Sequence, residues 1–347
     1  MKLTSQEKMV LYGLTRYPEL SLRELSKVLG INYWSVYKIQ DKFRRKRIIK
    51  EVVIPNYRAL GFELLVAGYG SLTQNRLREI VRLEKMIKRE GSISRSGRFL
   101  AFAEAYRGFT LGVVKNYTEI VKNILYVDRM AGIRELMVRE RPKMVLMPLE
   151  ITKIPIFFDY SRLLAREFGI PYENGKRKRE PEGSLTQDEI RVLAEFTKDP
   201  ERRIKDIATE LNMSRAKVAK IKEKLFGEGW CEKRIIPDMR ALGYEVLVFA
   251  HWESNPEKIE IVERENAMGK VEVDLSSIVF LAYNPLEGIV MAIFKSLRES
   301  REIVSLFSTF AEREKVLIKE PEILFLSLEE GREIKSHEHH PILSSLL

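Results

Sequence analysis

The densest chemistry in this sequence of 347 residues is cationic. Lys42, Arg44, Arg45, Lys46, Arg47 and Lys50 put six basic side chains into nine residues. Complementing one helix dipole requires far fewer, so the cluster suits a row of phosphate oxygens. Just before it stand Tyr33, Trp34, Ser35, Tyr37 and Lys38. Lysine can meet guanine acceptors in a major groove, and aromatic faces can touch thymine methyls. Trp34 suits base contact or packing on a neighbouring helix equally. At a constant offset of 182 residues, Arg215, Lys217, Lys220 and Lys224 recur in a corresponding stretch. These residues are the candidate DNA contacts.

Other chemistry is harder to find. No GxxxxGK[ST], HExxH, GxSxG or paired CxxC occurs, and no nucleophile–base pair stands at a credible spacing. Gly91 to Gly97 resembles a phosphate loop but lacks its lysine, and reads as a strand-entry turn. His337, His339 and His340 could bind a metal weakly, but with no rigid element to hold them they read as a solvated tail. His251 and Cys231 read as packing residues. The expectation is a protein that is not an enzyme and carries no cofactor.

The composition agrees with a polyanion partner. Sixty Lys+Arg against 50 Asp+Glu leave a net charge of +10, and the pI is near 9.4. With 45% hydrophobic residues the chain can fill the two or more cores its length implies. No apolar run reaches the roughly 20 residues of a membrane helix, and the opening residues lack a secretory pattern. One cysteine excludes internal disulfides and thiolate metal clusters. A cytoplasmic protein with no membrane partner is expected. Only four glutamines hint at a heat-adapted source.

The elements that must position these side chains occur twice. IPNYRALGFELLV at 54–66 matches IPDMRALGYEVLV at 236–248 without a gap, which points to a tandem duplication. Thr4-x-x-Glu7 and Thr186-x-x-Glu189 are capping boxes that open the first helix of each copy; Pro18 and Pro200 end it. Ser21-x-x-Glu24 caps a short second helix, a box the second copy lacks. After a tight turn, Asn32 and Ser214 cap a third helix. Its inward residues are Val36, Ile39 and Phe43 in one copy and Val218, Ile221 and Leu225 in the other. That is a helix-turn-helix pattern. The β-prone runs 48–54 and 230–236 read as small hairpins, or wings.

Residues 1–60 hold 13 Lys/Arg and 5 Asp/Glu, a net +8, whereas residues 183–242 hold 13 and 11, a net +2. The first copy should therefore carry more of any affinity for DNA. Each copy continues as β-α-β-β-α-β, the ferredoxin-like order. In copy one the helices fall at 76–89 and 117–130 and the last strand at 134–139, followed by an added segment at 156–168. In copy two the helices fall at 256–268 and 297–314, with strands at 271–282, 288–294 and 323–328. The fold class is α+β, with two winged helix-turn-helix domains (1–60, 184–242) alternating with two ferredoxin-like domains (61–170, 243–335). A basic linker spans 171–183 and a tail 336–347; the Lys176–Arg179 run suits either phosphates or plain solvation.

SLRELSKVLGINYWSVYKIQDKF with IPNYRALGF, and RIKDIATELNMSRAKVAKIKEKLFGEGW with IPDMRALGY, resemble the Lrp/AsnC (feast/famine) family of prokaryotic transcription regulators. The resemblance covers nearly the whole chain, twice. It implies an archaeal regulator built as an intrachain pseudo-dimer, with double-stranded DNA as partner and further association open. The family's effector loop carries a Gly-Asp-Tyr-Asp-like turn; here those positions read Arg107-Gly108-Phe109-Thr110 and Pro285-Leu286-Glu287-Gly288, without aspartates. Since the two third helices differ in nearly every exposed residue, the DNA site should be non-palindromic, read at centres about 10–10.5 bp apart or a multiple. The alternative is a protein-interaction module that recruits a basal transcription factor, with one repeat off the DNA.

Overall fold

The structure is a computed structural model and describes residues 2–71, 97–104, 107–123, 143–172, 180–258, 275–343 and 346–347. Its elements are α1 (Ser5–Arg16), α2 (Leu22–Leu29), α3 (Tyr33–Arg45), β1 (Ile49–Pro55), β2 (Leu64–Ser71), β3 (Arg98–Glu104), β4 (Arg107–Val114), β5 (Lys143–Pro148), β6 (Lys153–Phe157) and α4 (Ser161–Phe168). There follow α5 (Gln187–Lys198), α6 (Ile204–Glu210), α7 (Arg215–Gly227), β7 (Cys231–Pro237), β8 (Val246–Glu253), β9 (Ile278–Tyr283), β10 (Glu287–Phe294), α8 (Leu297–Arg313), β11 (Glu322–Ser327), β12 (Arg332–Lys335) and α9 (His340–Leu343). This is a mixed α+β protein with antiparallel sheets. No described helix is long and apolar enough to cross a membrane.

Two compact units divide the chain, and each joins segments distant in sequence. One comprises Met1–Lys50, Ile151–Glu173 and Ile235–Gly331; the other comprises Glu51–Glu150, Asn174–Arg234 and Arg332–Leu347. The first thus combines α1–α3 with the later sheet, and the second combines α5–α7 with the earlier one.

The capping boxes form as read. The Thr4, Ser21 and Thr186 side chains accept from the N–H of Glu7, Glu24 and Glu189, and each glutamate accepts from its cap residue's N–H. Two of each helix's orphan donors are satisfied in this way. Val10, Leu11, Leu25, Val36 and Phe43 then close one three-helix core. Val192, Leu193, Ile207, Val218 and Leu225 close the other, with Trp230 and Cys231 among them.

The expected wings do not form. β1 pairs with β7 in a two-stranded sheet, so each run is one strand and not half of a local hairpin. Within the second unit Asn56 N–H donates to Trp230 O (2.8 Å), and within the first Asp238 N–H donates to Ile48 O (2.7 Å). Both runs end at a proline in a long apolar segment, which fits an extended strand without a reversing turn.

The two larger sheets have the orders β11-β8-β10-β9-β6 and β12-β3-β4-β2-β5. With the edge strands β6 and β12 set aside, the four remaining strands of each sheet, numbered in chain order, stand 4-1-3-2. α8 covers Val246, Val248, Ala292 and Phe294 of the first sheet through Ile303 and Val304. The helix expected at 76–89, the strand at 134–139, the Lys176–Arg179 run and most of the helix at 256–268 lie outside the described residues; of the helix at 117–130, residues 117–123 are helical.

The edge strands come from segments whose role was not legible. β6 adds to β9, and α4 behind it sends Leu164 and Ala165 into the core of α1–α3. β12 adds to β3, and α9 sends Leu343 into the core of α5–α7. Residues 336–343 are therefore not a solvated tail. His337 and His339 are buried, His339 Nδ1 lies 2.6 Å from the Tyr57 hydroxyl, and His340 Nδ1 donates to Ala194 O at 2.9 Å. Phe158 and His337 each follow the edge strand in a left-handed conformation (φ 50° and 53°).

Candidate nucleic-acid interface

The third helix starts where Asn32 places it. Asn32 Oδ1 accepts from Trp34 N–H at 2.9 Å, and the preceding turn closes on Gly30 at φ 64°. Inward, α3 buries Val36, Gln40 and Phe43, while Ile39 is half-buried; the sequence reading missed Gln40. Outward, the first two turns present aromatic rings. Trp34 is 64% exposed and Tyr37 45%, so Trp34 is not packed on α1. Tyr33 sits edge-on to Trp34 (centroids 5.4 Å) and stacks on Tyr37 (6.5 Å), and Trp34 meets Tyr37 edge-on at 6.1 Å. Ser35 is half-buried and Lys38 exposed beside them.

The cationic cluster separates into two roles. Lys42 bonds to Glu7 of the first capping box, and this hydrogen bond, ahead of the Thr4 N–H, holds the Glu7 carboxyl below its usual range. Lys224 repeats the arrangement on Glu189 at 2.8 Å. There burial pushes the carboxyl up, but the bonds from Lys224 and Thr186 outweigh it and leave it lowered. Both lysines therefore fasten the third helix to the first. Arg44, Arg45, Lys46, Arg47 and Lys50 are exposed, with Arg45 also bonded to Asp41.

Arg47 stands in the left-handed region at φ 54°. The turn that ends α3 requires it: Arg47 N–H donates to Arg44 O at 2.9 Å and Ile48 N–H to Phe43 O at 2.8 Å. At the corresponding position of the second repeat stands Gly229, at φ 86°. Glycine is the residue that such a turn accepts without cost.

The second repeat offers a quieter surface. Ser214 caps α7 by accepting from Lys217 N–H, and Val218, Ile221 and Leu225 face inward as read. Arg215, Lys217 and Lys220 are exposed, but Lys217 bonds to Asp188 at 2.5 Å, lowering that carboxyl's pKa. Arg202 and Arg203 are likewise bonded to Glu195, Glu210 and Asp206. No group of three His, Cys, Asp or Glu among the described residues could hold a metal ion.

No family model matches this sequence, and no curated protein does so either. Solved structures do match. Two are of the siroheme decarboxylase NirDL, one of them in co-complex with an iron-uroporphyrin III analogue. Both have a TM-score of 0.53 and cover 99% of this chain, at 16% and 14% identity over 98% and 97% of their own chains. An AsnC family transcriptional regulator from Agrobacterium tumefaciens matches over 41% of this chain and 90% of its own, at 15% identity and a TM-score of 0.30. The expectation that the chain is not an enzyme is overturned by these findings: two structures that cover 99% of it are those of an enzyme. Motifs such as HExxH and GxSxG report only the part of a site that is contiguous in sequence. In its described residues this chain has the fold of NirDL.

Proposed function

We propose that the chain is a DNA-binding transcription regulator whose main contact is the first three-helix unit. In this reading the chain is a duplicated pair of helix-turn-helix and ferredoxin-like domains divided near residues 60, 170, 183, 242 and 335. One observation carries it. An arginine occupies a left-handed turn beside an exposed cationic run, where the second repeat has glycine. Such a residue costs about 1–2 kcal/mol, and although Phe158, Asn212, Lys315 and His337 share the conformation, only Arg47 adds its charge to this cationic run. Arg44, Arg45 and Arg47 then contact phosphates, Lys38 and the aromatic residues face bases, and Arg215, Lys217 and Lys220 add a weaker second contact. The site is unequal and non-palindromic. Footprinting the full chain on duplexes selected from a random pool tests this, since a perfect inverted repeat would contradict it.

A second reading rests on the end-to-end match to NirDL. The chain would then take up an iron tetrapyrrole and release carbon dioxide from it. Titration of the full chain with iron-uroporphyrin III separates the two readings. A saturable shift of the porphyrin absorption band, with no duplex bound at low salt, would favour the enzyme.

A further inference from the structure

The ring cluster at the start of α3 is an exposed apolar feature beside the cationic run. Trp34 and Tyr37 are exposed to solvent and touch each other and Tyr33. Large exposed aromatic groups held together in this way mark a surface that a partner covers. The charges around it select the partner: Lys38, Arg44, Arg45, Lys46 and Arg47 are exposed on the same helix and its closing turn, which suits a polyanion. The first two turns of α3 read Tyr33-Trp34-Ser35-Val36-Tyr37-Lys38-Ile39. They contain no Asn or Gln, the side chains that bind adenine in two-point fashion, and Lys38 alone could meet guanine acceptors.

We infer that the first repeat reads the 5-methyl groups of thymine in the major groove, with Trp34 and Tyr37 as the specificity-determining residues. This rests on the DNA-binding reading above. Lys38 can meet only guanine in two-point fashion and no side chain of these turns does so for adenine, so A·T pairs are distinguished by burying methyl groups against the rings. Tyr33 stacks behind Tyr37 and props the cluster. α7 has Ala216 and Ala219 at the positions corresponding to Trp34 and Tyr37, so the preference belongs to the first repeat.

The test uses the full chain and a 24-bp duplex that it selects from a random pool. Affinity is measured for that duplex and for the same duplex with deoxyuridine replacing every thymidine. Losing one buried methyl weakens binding by about fourfold. The expected result is a loss of that size or larger for the natural chain and a ratio near one for Trp34→Ala with Tyr37→Ala. Both side chains are exposed, so the double variant is expected to fold, and its circular dichroism confirms that. A second arm asks whether 5-methylcytosine, which puts a methyl at the same groove position, strengthens binding to a cytosine-containing variant of the duplex. Tight, salt-dependent binding with no difference between thymine and uracil would overturn the methyl readout and leave the DNA reading standing. Failure to select or bind any duplex would overturn both.

Discussion

Arg47 offers the sharpest separation of stability from function. Two replacements differ only in their backbone consequence. Arg47→Ala removes the guanidinium but keeps a Cβ at φ 54°, and Arg47→Gly removes both. A left-handed residue with a Cβ costs about 1–2 kcal/mol, and the extra freedom of glycine in the unfolded chain returns about 0.4–1 kcal/mol of that. The glycine variant should therefore be more stable than the alanine variant by about 0.5–1 kcal/mol. The local reporter is Ile48 N–H, bonded to Phe43 O across the turn. Its hydrogen exchange should be about two- to fivefold slower in Arg47→Gly than in Arg47→Ala. Both variants should lose DNA affinity equally, with the slope of log K against log salt falling by about one phosphate contact. Faster exchange in the glycine variant would show that the turn stores no strain. Natural affinity in both would remove Arg47 from the interface.

Three further outcomes follow from the packing. Lys42→Met should destabilise the first unit by about 1 kcal/mol at neutral pH, because Glu7 loses its partner while buried; denaturant midpoints measure this. Glu7 is held below its usual pKa, so its contribution is full above the unfolded carboxylate range and is lost as pH falls through the lowered folded value. Lys42→Met should flatten that acid dependence. Gly288→Ala should cost about 2–3 kcal/mol, since a Cβ there would lie 2.1 Å from the Trp252 ring, whose indole N–H donates to Ser254 Oγ; thermal melting reads it. Leu343→Ala should cost about 2–5 kcal/mol, since the side chain is fully buried in the α5–α7 core. A value near zero would return the C-terminal segment to solvent.

The helical units were legible because their signals are local. Capping boxes at Thr4, Ser21 and Thr186, the Asn32 and Ser214 caps and the spacing of Val36 and Phe43 each act within one or two turns. What failed depends on partners distant in sequence. β1 finds β7 and β12 finds β3, pairings that no local pattern announces. His337, His339 and His340 looked like a polar tail because their surroundings, Tyr57, Phe99 and Ala194, lie far away in the chain. The roles within the cationic cluster were hidden for the same reason. The capping-box glutamate, 35 residues earlier, claims Lys42, whereas Arg44 lies exposed. That pairing recurs between Lys224 and Glu189 and could have been found by comparing the two repeats position by position.

The most direct test of the account is the affinity of the full chain for duplex DNA across a range of salt, compared with Arg44→Ala, Arg45→Ala, Arg47→Ala combined. The account expects tight binding at low salt, weakening of the triple variant on every sequence, and a salt slope shallower by about 2–3. Equal affinity and equal slope for both proteins would contradict it, as would a chain that ignores duplex DNA and saturates with iron-uroporphyrin III instead.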